Sequence, residues 1–222
     1  MVQLTKDGLI GAANFEEYAK EFARSHAFCL PKLLHPDLLR LVSSRLEQSS
    51  WVTQDDGVIA RESLPKDQVP ASALNFAANT SEFLDLIRRV TNQPDIKLFG
   101  GRVYRMEPSV DHFDSWHADI GTTHQDRLVG MSVNLSPRPY QGGVFRLRDE
   151  ASGEILFEQS NTGAGDAIFF RISPLLKHMV TPLAGIAPKT AFAGWFRSGN
   201  LNFYARLKQA AHERSPITQS TD

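Results

Sequence analysis

The sequence predicts an α+β chain built around a double-stranded β-helix of the jelly-roll or cupin-like kind. About eight strands form its core, N-terminal helices buttress it, and a C-terminal helix follows. Three observations predict this. Helical periodicity dominates roughly the first 95 residues and returns only near the C-terminus. After Pro94 the apolar pattern breaks into short runs separated by Gly, Pro, Asp and Ser clusters, the signature of strands. The number of those runs is that of a jelly roll, and helices gathered before the strands suit one face of a sheet. With 222 residues the chain is long enough for one domain with a full core.

The elements follow in order. Asn14 and Glu17 form a capping-box pattern, with Phe15, Tyr18 and Phe22 on one helical stripe. Pro36 suits the first turn of a second helix, whose apolar face carries Leu38, Leu39, Leu41, Val42 and Leu46. From Trp51 to Ser72 the pattern is lost. That polar stretch contains prolines and reads as a lid or surface excursion. Thr80 or Ser81 caps a third helix with Phe83, Leu84, Leu86, Ile87 and Val90. Strands are expected at Leu98–Met106, around His117, and at Leu128–Leu135, Val144–Arg148, Ile155–Gln159, Ala167–Arg171, Lys177–Pro182 and Thr190–Phe196. The expected organisation is a single domain. It divides into mainly helical support and lid (1–95), jelly-roll core (96–198), C-terminal helix (199–214) and tail (215–222).

Composition narrows the function. Hydrophobic residues make up 41% and charged residues 22%, so a globular class is expected. The formal net charge is -1, which gives no electrostatic case for a nucleic-acid partner. The single cysteine, Cys29, forms no internal disulfide, and its run Ala27-Phe28-Cys29-Leu30 reads as buried. The acidic, non-apolar N-terminus does not read as a signal peptide, and no run is long enough to span a bilayer. The expectation is a cytoplasmic protein with a small-molecule substrate and no membrane or nucleic-acid partner; the oligomeric state is not legible.

The chemistry is carried by Trp116-His117-Ala118-Asp119 and the distant His178. On a strand, side chains at i and i+2 leave the same face, so His117 and Asp119 can grip one ion. His178 arrives from another strand. Two His and one carboxylate form the facial triad of non-haem Fe(II), with about three coordination positions left open. His112 and His124 flank the pair in loops.

At this point the chain resembles the 2-oxoglutarate- and Fe(II)-dependent dioxygenases, in particular the prolyl-hydroxylase-like branch. The matching segments are Trp116–Asp119, Gln141-Gly142-Gly143-Val144-Phe145-Arg146-Leu147, Gly165–Phe170, His178–Leu183, and Lys189 through Gly194-Trp195-Phe196. The resemblance covers residues 98 to 197. It implies Fe(II) as cofactor, 2-oxoglutarate and O2 as co-substrates, and Lys189, eleven residues after His178, as partner of the far carboxylate of 2-oxoglutarate. It further implies contacts to 2-oxoglutarate from Tyr104 and Asn134. Trp195 shares strand parity with Lys189 and is expected near the iron. Arg102 shares parity with Tyr104 and is expected to face substrate or pair with an acid. The implied reaction is hydroxylation of an unactivated C–H bond of a small molecule such as an amino acid, with release of succinate and CO2. Retention of Asp119 favours hydroxylation over halogenation. The alternatives are a prolyl-type hydroxylase of protein residues, a non-catalytic ligand-binding jelly roll, and a cupin-like hydrolase or isomerase using Zn or Mn. Lys189 speaks against the last.

Overall fold

A computed structural model describes residues 2–12, 14–55, 57, 60–108, 112–120, 124–160 and 163–199. The chain opens with a hairpin, β1 (Val2–Thr5) and β2 (Gly8–Gly11), followed by α1 (Phe15–Ser25) and β3 (Ala27–Leu30). Next come α2 (Pro36–Gln48), β4 (Trp51–Asp55), β5 (Ala60–Pro65), α3 (Val69–Ala78) and α4 (Ser81–Thr91). The remaining strands are β6 (Leu98–Met106), β7 (Phe113–His117), β8 (Arg127–Asn134), β9 (Gln141–Gly142), β10 (Phe145–Asp149) and β11 (Ile155–Gln159). The last four are β12 (Ala167–Arg171), β13 (Leu176–Val180), β14 (Leu183–Ala184) and β15 (Lys189–Arg197).

Eleven of these strands form one sheet in the order β11-β10-β13-β7-β5-β6-β15-β8-β12-β3, with β4 on β5. The pairs are antiparallel, and the sheet curls into a nearly closed, jelly-roll-like barrel. Strand β12 shows how the barrel is filled. Ala167 and Phe169 enter the core beneath the helices, while Ile168 and Phe170 enter a second core inside the barrel. Both faces of β12 are therefore buried, and its sequence has no polar alternation. Phe28 stacks on Phe169 at 4.7 Å, and Phe99 meets Phe192 at 5.5 Å. At Gly194 a Cβ would lie 2.2 Å from the Gly100 carbonyl oxygen, so the close approach of β15 to β6 requires glycine.

The stretch expected as an irregular lid is instead a hairpin within the sheet. Strand β5 pairs with β7 through Ala60 and Arg61 and with β6 through Ser63, and so joins the two halves of the barrel. Beyond it, α3 was not foreseen. Its Asn79 and Asn75 complete the open edge of β6. Each side-chain amide donates to and accepts from one residue there, Phe99 and Gly101 respectively, at 2.8–2.9 Å. The first half thus carries the three expected helices, a fourth in α3, and the strands β1–β5. The α1 capping box is also not formed, since Asn14 makes no side-chain cap hydrogen bond. Pro36 does open α2, where His35 Nδ1 accepts from the Asp37 amide. Cys29 lies half-buried on β3, and burial pushes its thiol up to about 12. The expected C-terminal helix and tail lie outside the described residues. Among the described residues no helix is long and apolar enough to cross a membrane.

Candidate metal centre and substrate cavity

The two histidines are brought together by strand register. His178 on β13 stands directly opposite His117 on β7, and a bulge between that pair and Val180–Asp114 bends the ladder beside the site. Their ring centroids are 4.2 Å apart. Strand β7 ends at His117, so Asp119 occupies the following bend rather than the same strand. The carboxylate still reaches both rings. Asp119 Oδ1 lies 3.7 Å from His117 Nε2, and Oδ2 lies 3.4 Å from His178 Nε2. Neighbouring ligands of an octahedral ion with bonds of about 2.1 Å stand roughly 3 Å apart, so small side-chain rotations close the set. The three are a group of metal-binding type whose donor atoms all lie within 4.8 Å of one another.

The donors are prepared for a cation. The His117 Nδ1 lies 2.7 Å from the Ser115 carbonyl oxygen. A proton on Nδ1 makes that bond and leaves Nε2 as a lone pair. Burial pushes His178 down to about 4, which keeps the imidazole neutral and able to ligate. Burial alone would raise the Asp119 carboxyl. His178, a hydrogen bond from Trp195, His117 and Arg127 outweigh it and hold the carboxyl below its ordinary value. That Trp195 Nε1–H···Oδ2 bond is 2.6 Å long. Arg127 Nη1 donates to the Asp119 carbonyl at 3.1 Å and approaches Oδ1 at 3.4 Å.

The triad opens into a cavity of about 490 Å³. Phe145, Phe170 and Val180 supply apolar wall, while Arg102, Arg127 and Glu62 supply charge. Tyr104 lines the cavity. Burial, with Asp114 and Glu62 nearby, raises its hydroxyl well above the ordinary value, so it stays a neutral donor. Arg102 also lines the cavity and takes the second expected course, donating from Nε to Glu62 Oε1 at 2.9 Å.

Lys189 is only 2% exposed and is not part of the cavity wall. Its Nζ donates to the Gly143 carbonyl at 3.4 Å, a carbonyl presented by the left-handed turn at Gly142-Gly143. Burial pushes the amine down to about 8, against the fields of Asp114 and Glu62. Asn134 is placed otherwise than expected. Its amide donates to Gly163 O and accepts from the Ser136 N–H, both at 3.0 Å, and it does not line the cavity. Both ends of its amide are thus used to fasten a loop. His112 likewise serves structure, accepting from the Glu107 amide at 3.0 Å. His124 lines the cavity.

Sequence reasoning missed Glu62, Asp114 and the link from Arg127 to Asp119. Asp114 is buried on β7, with Oδ1 3.3 Å from His117 Nδ1, and burial raises its carboxyl to about 6. Glu62 had a weak signal: Asp56-Gly57 is a hairpin-turn dipeptide, which would have made a strand of its segment.

Comparison with known proteins bears on this geometry. Residues 101–197 match the family model of the 2OG-Fe(II) oxygenase superfamily. No curated protein sequence matches the chain. Among solved structures, the fold is similar to a Pseudomonas putida prolyl-4-hydroxylase, at 18% identity and a TM-score of 0.62, covering 84% of this chain and 100% of that one. It is also similar to a Trichoplax adhaerens prolyl hydroxylase in complex with a hypoxia-inducible-factor peptide, at 12% identity and 0.58, covering 91% and 93%. A third similar structure is SnoN, a non-haem α-ketoglutarate-dependent epimerase from nogalamycin biosynthesis, at 13% identity and 0.57, covering 94% and 91%. At these identities the likeness establishes the fold. The family match spans β6 to β15 and contains the converging His117, Asp119 and His178. The jelly-roll core of this chain, residues 101–197, is thus similar to the 2OG-Fe(II) oxygenase superfamily, and that match together with the triad makes the protein an oxidoreductase with Fe(II) and 2-oxoglutarate as cofactor and co-substrate.

Proposed function

We propose that this oxygenase hydroxylates an unactivated C–H bond of a small molecule, such as a free amino acid or other metabolite, with release of succinate and CO2. The observation that carries the reading is the cavity of about 490 Å³ opening on the triad. Its volume is in the range of small-molecule sites, and it must hold 2-oxoglutarate as well as substrate. Iron, 2-oxoglutarate and O2 together supply the oxidising chemistry, in which the oxo-acid loses CO2 and one oxygen atom passes to the substrate.

The chain's own residues bind, orient and exclude water. His117, Asp119 and His178 are the metal ligands in this reading. Asp119 occupies the coordination place that a halide would need, which favours hydroxylation. Lys189 is the partner for the far carboxylate of 2-oxoglutarate. An ammonium has three donors. Among the described residues its one protein hydrogen bond is the 3.4 Å contact to Gly143, so a buried cation is left with donors to spare. Asp114 and Glu62 act on it only from beyond contact, and an anion within hydrogen-bonding reach is what it lacks among the described residues. Tyr104 offers a neutral hydroxyl to the same co-substrate. Phe145, Phe170 and Val180 keep the reacting centre dry.

A peptidyl substrate is the second reading, favoured by the fold shared with the two prolyl hydroxylases. A succinate-release screen tests the choice, using amino acids, peptides and natural-product scaffolds with mass spectrometry for a gain of one oxygen. Coupled turnover is expected with free small molecules. Coupling confined to peptides would replace the first reading by the second.

A further inference from the structure

The charges around the cavity do not pair off evenly. Glu62 accepts both Nε and Nη2 of Arg102, and Asp126 lies 3.6 Å from Arg197. Asp119 is committed to the metal in the reading above. That leaves Arg127. Its side chain is 11% exposed, it lines the cavity, and its buried Nε has no hydrogen-bond partner. Its hydrogen bonds among the described residues all leave from Nη1 and end on Asp119. The guanidinium carbon sits 3.6 Å over the Trp195 ring. Stacking fixes the plane of the fork and leaves its edge for recognition.

We propose that Arg127 is the anchor for a carboxylate of the substrate, so that this oxygenase accepts small carboxylic acids, free amino acids included. The inference rests on the oxygenase reading of the same cavity. Geometry supports it: Glu62 pairs with Arg102 and Asp126 lies beside Arg197, whereas Arg127 shares Asp119 with the two imidazoles and keeps an unpartnered Nε at the cavity wall. A planar, bidentate carboxylate matches an arginine fork, and its distance from bulk water strengthens the pair.

The test uses the full chain loaded with Mn(II) and 2-oxoglutarate. The probes are the proteinogenic L-amino acids and their primary amides, and the readout is paramagnetic relaxation of probe protons by the bound Mn(II). An acid and its amide have nearly equal shape, so their ratio isolates the anion. In the unaltered protein, the best acids should be relaxed at concentrations about tenfold or more below those of their amides. Arg127→Gln should bring that ratio close to one, and Arg127→Lys should restore part of it. If Arg127 only positions Asp119, acid and amide weaken in parallel and the ratio survives, which overturns the proposal. Equal relaxation by acids and amides in the unaltered protein, or relaxation by neither, overturns it as well. Relaxation of 2-oxoglutarate itself is followed in the same samples. Its absence in the unaltered protein would break the oxygenase reading instead, and its loss only in Arg127→Gln would give Arg127 to the co-substrate.

Discussion

Trp195→Phe removes one hydrogen bond from the metal site and little else. The indole N–H is 2.6 Å from Asp119 Oδ2 and holds that carboxylate toward the two imidazoles. A phenyl ring still gives Arg127 a face to stack on. A hydrogen bond to a charged acceptor contributes about 1.5–3 kcal/mol, and loss of a partner that orients a ligand lowers metal affinity about 10–100-fold. The two estimates agree, since a factor of ten is about 1.4 kcal/mol. The assay is titration of the metal-free protein with Mn(II), following the free ion by electron paramagnetic resonance, so turnover is not needed. The dissociation constant should rise about 10–100-fold while the cooperative unfolding transition is kept. A change below about twofold in a folded variant would refute the reasoning, because Asp119 would then be held by something other than Trp195.

The other predictions concern the ligands, the co-substrate and the core. His178→Ala should abolish succinate release and sharply lower iron content, and stoichiometric iron with full activity would remove the triad. In its proposed role Lys189 meets 2-oxoglutarate in its charged form, and burial has already lowered it to about 8. Affinity for 2-oxoglutarate should therefore be highest below about pH 8 and fall above it, with Lys189→Arg flattening the profile; isothermal titration across that range checks this. The stability contribution of the same group has the opposite sense. Below about 8 both states are protonated and the folded state bears the burial cost, which is relieved as pH rises toward the ordinary lysine value. Phe192→Ala, buried against Phe99, should cost about 3–5 kcal/mol in urea unfolding.

Much of the barrel was legible because its strands are locally marked. Leu98–Met106, Ile155–Gln159 and Ala167–Arg171 appear in the structure with the expected limits. The last two are short, largely apolar runs closed by a polar residue, and the first is a longer run rich in Phe, Val, Tyr and Met. The β1–β2 and β4–β5 hairpins escaped because their strands are short or polar. Four of the five residues of β4 are exposed, so little hydrophobic alternation betrays it. Both hairpins nevertheless carry an Asp-Gly turn signal in sequence, at Asp7-Gly8, where Gly8 opens β2, and at Asp56-Gly57. Helix α3 escaped for another reason. Its buried face is small, with Ala71, Ala77 and Ala78 around Leu74, and alanine contributes little to a periodic signal.

The site divides along the same line between local and long-range information. His117 and Asp119 are two residues apart, so their pairing can be read directly. The Trp195–Asp119 bond spans 76 positions and depends on β15 lying between β6 and β8. Trp195 stands opposite Gly130, and a register shift between Phe196 and Arg197 sets Arg197 opposite Arg127, which packs two cations beside one indole. Neither relation has a sequence signature. The same distinction explains why Lys189 and Arg127 differ from the other buried charges. Arg102 and Arg197 have carboxylates of the chain itself beside them. Lys189 has a carbonyl oxygen as its protein acceptor, and Arg127 shares a carboxylate that the metal also claims. An incompletely paired buried charge destabilises the empty fold, and an arriving anion removes that cost without any rearrangement of the protein. Arg127 on the cavity wall, with Lys189 buried near the wall residues Asp114 and Glu62, suits the proposed pair of anionic molecules, 2-oxoglutarate and an acid to be oxidised.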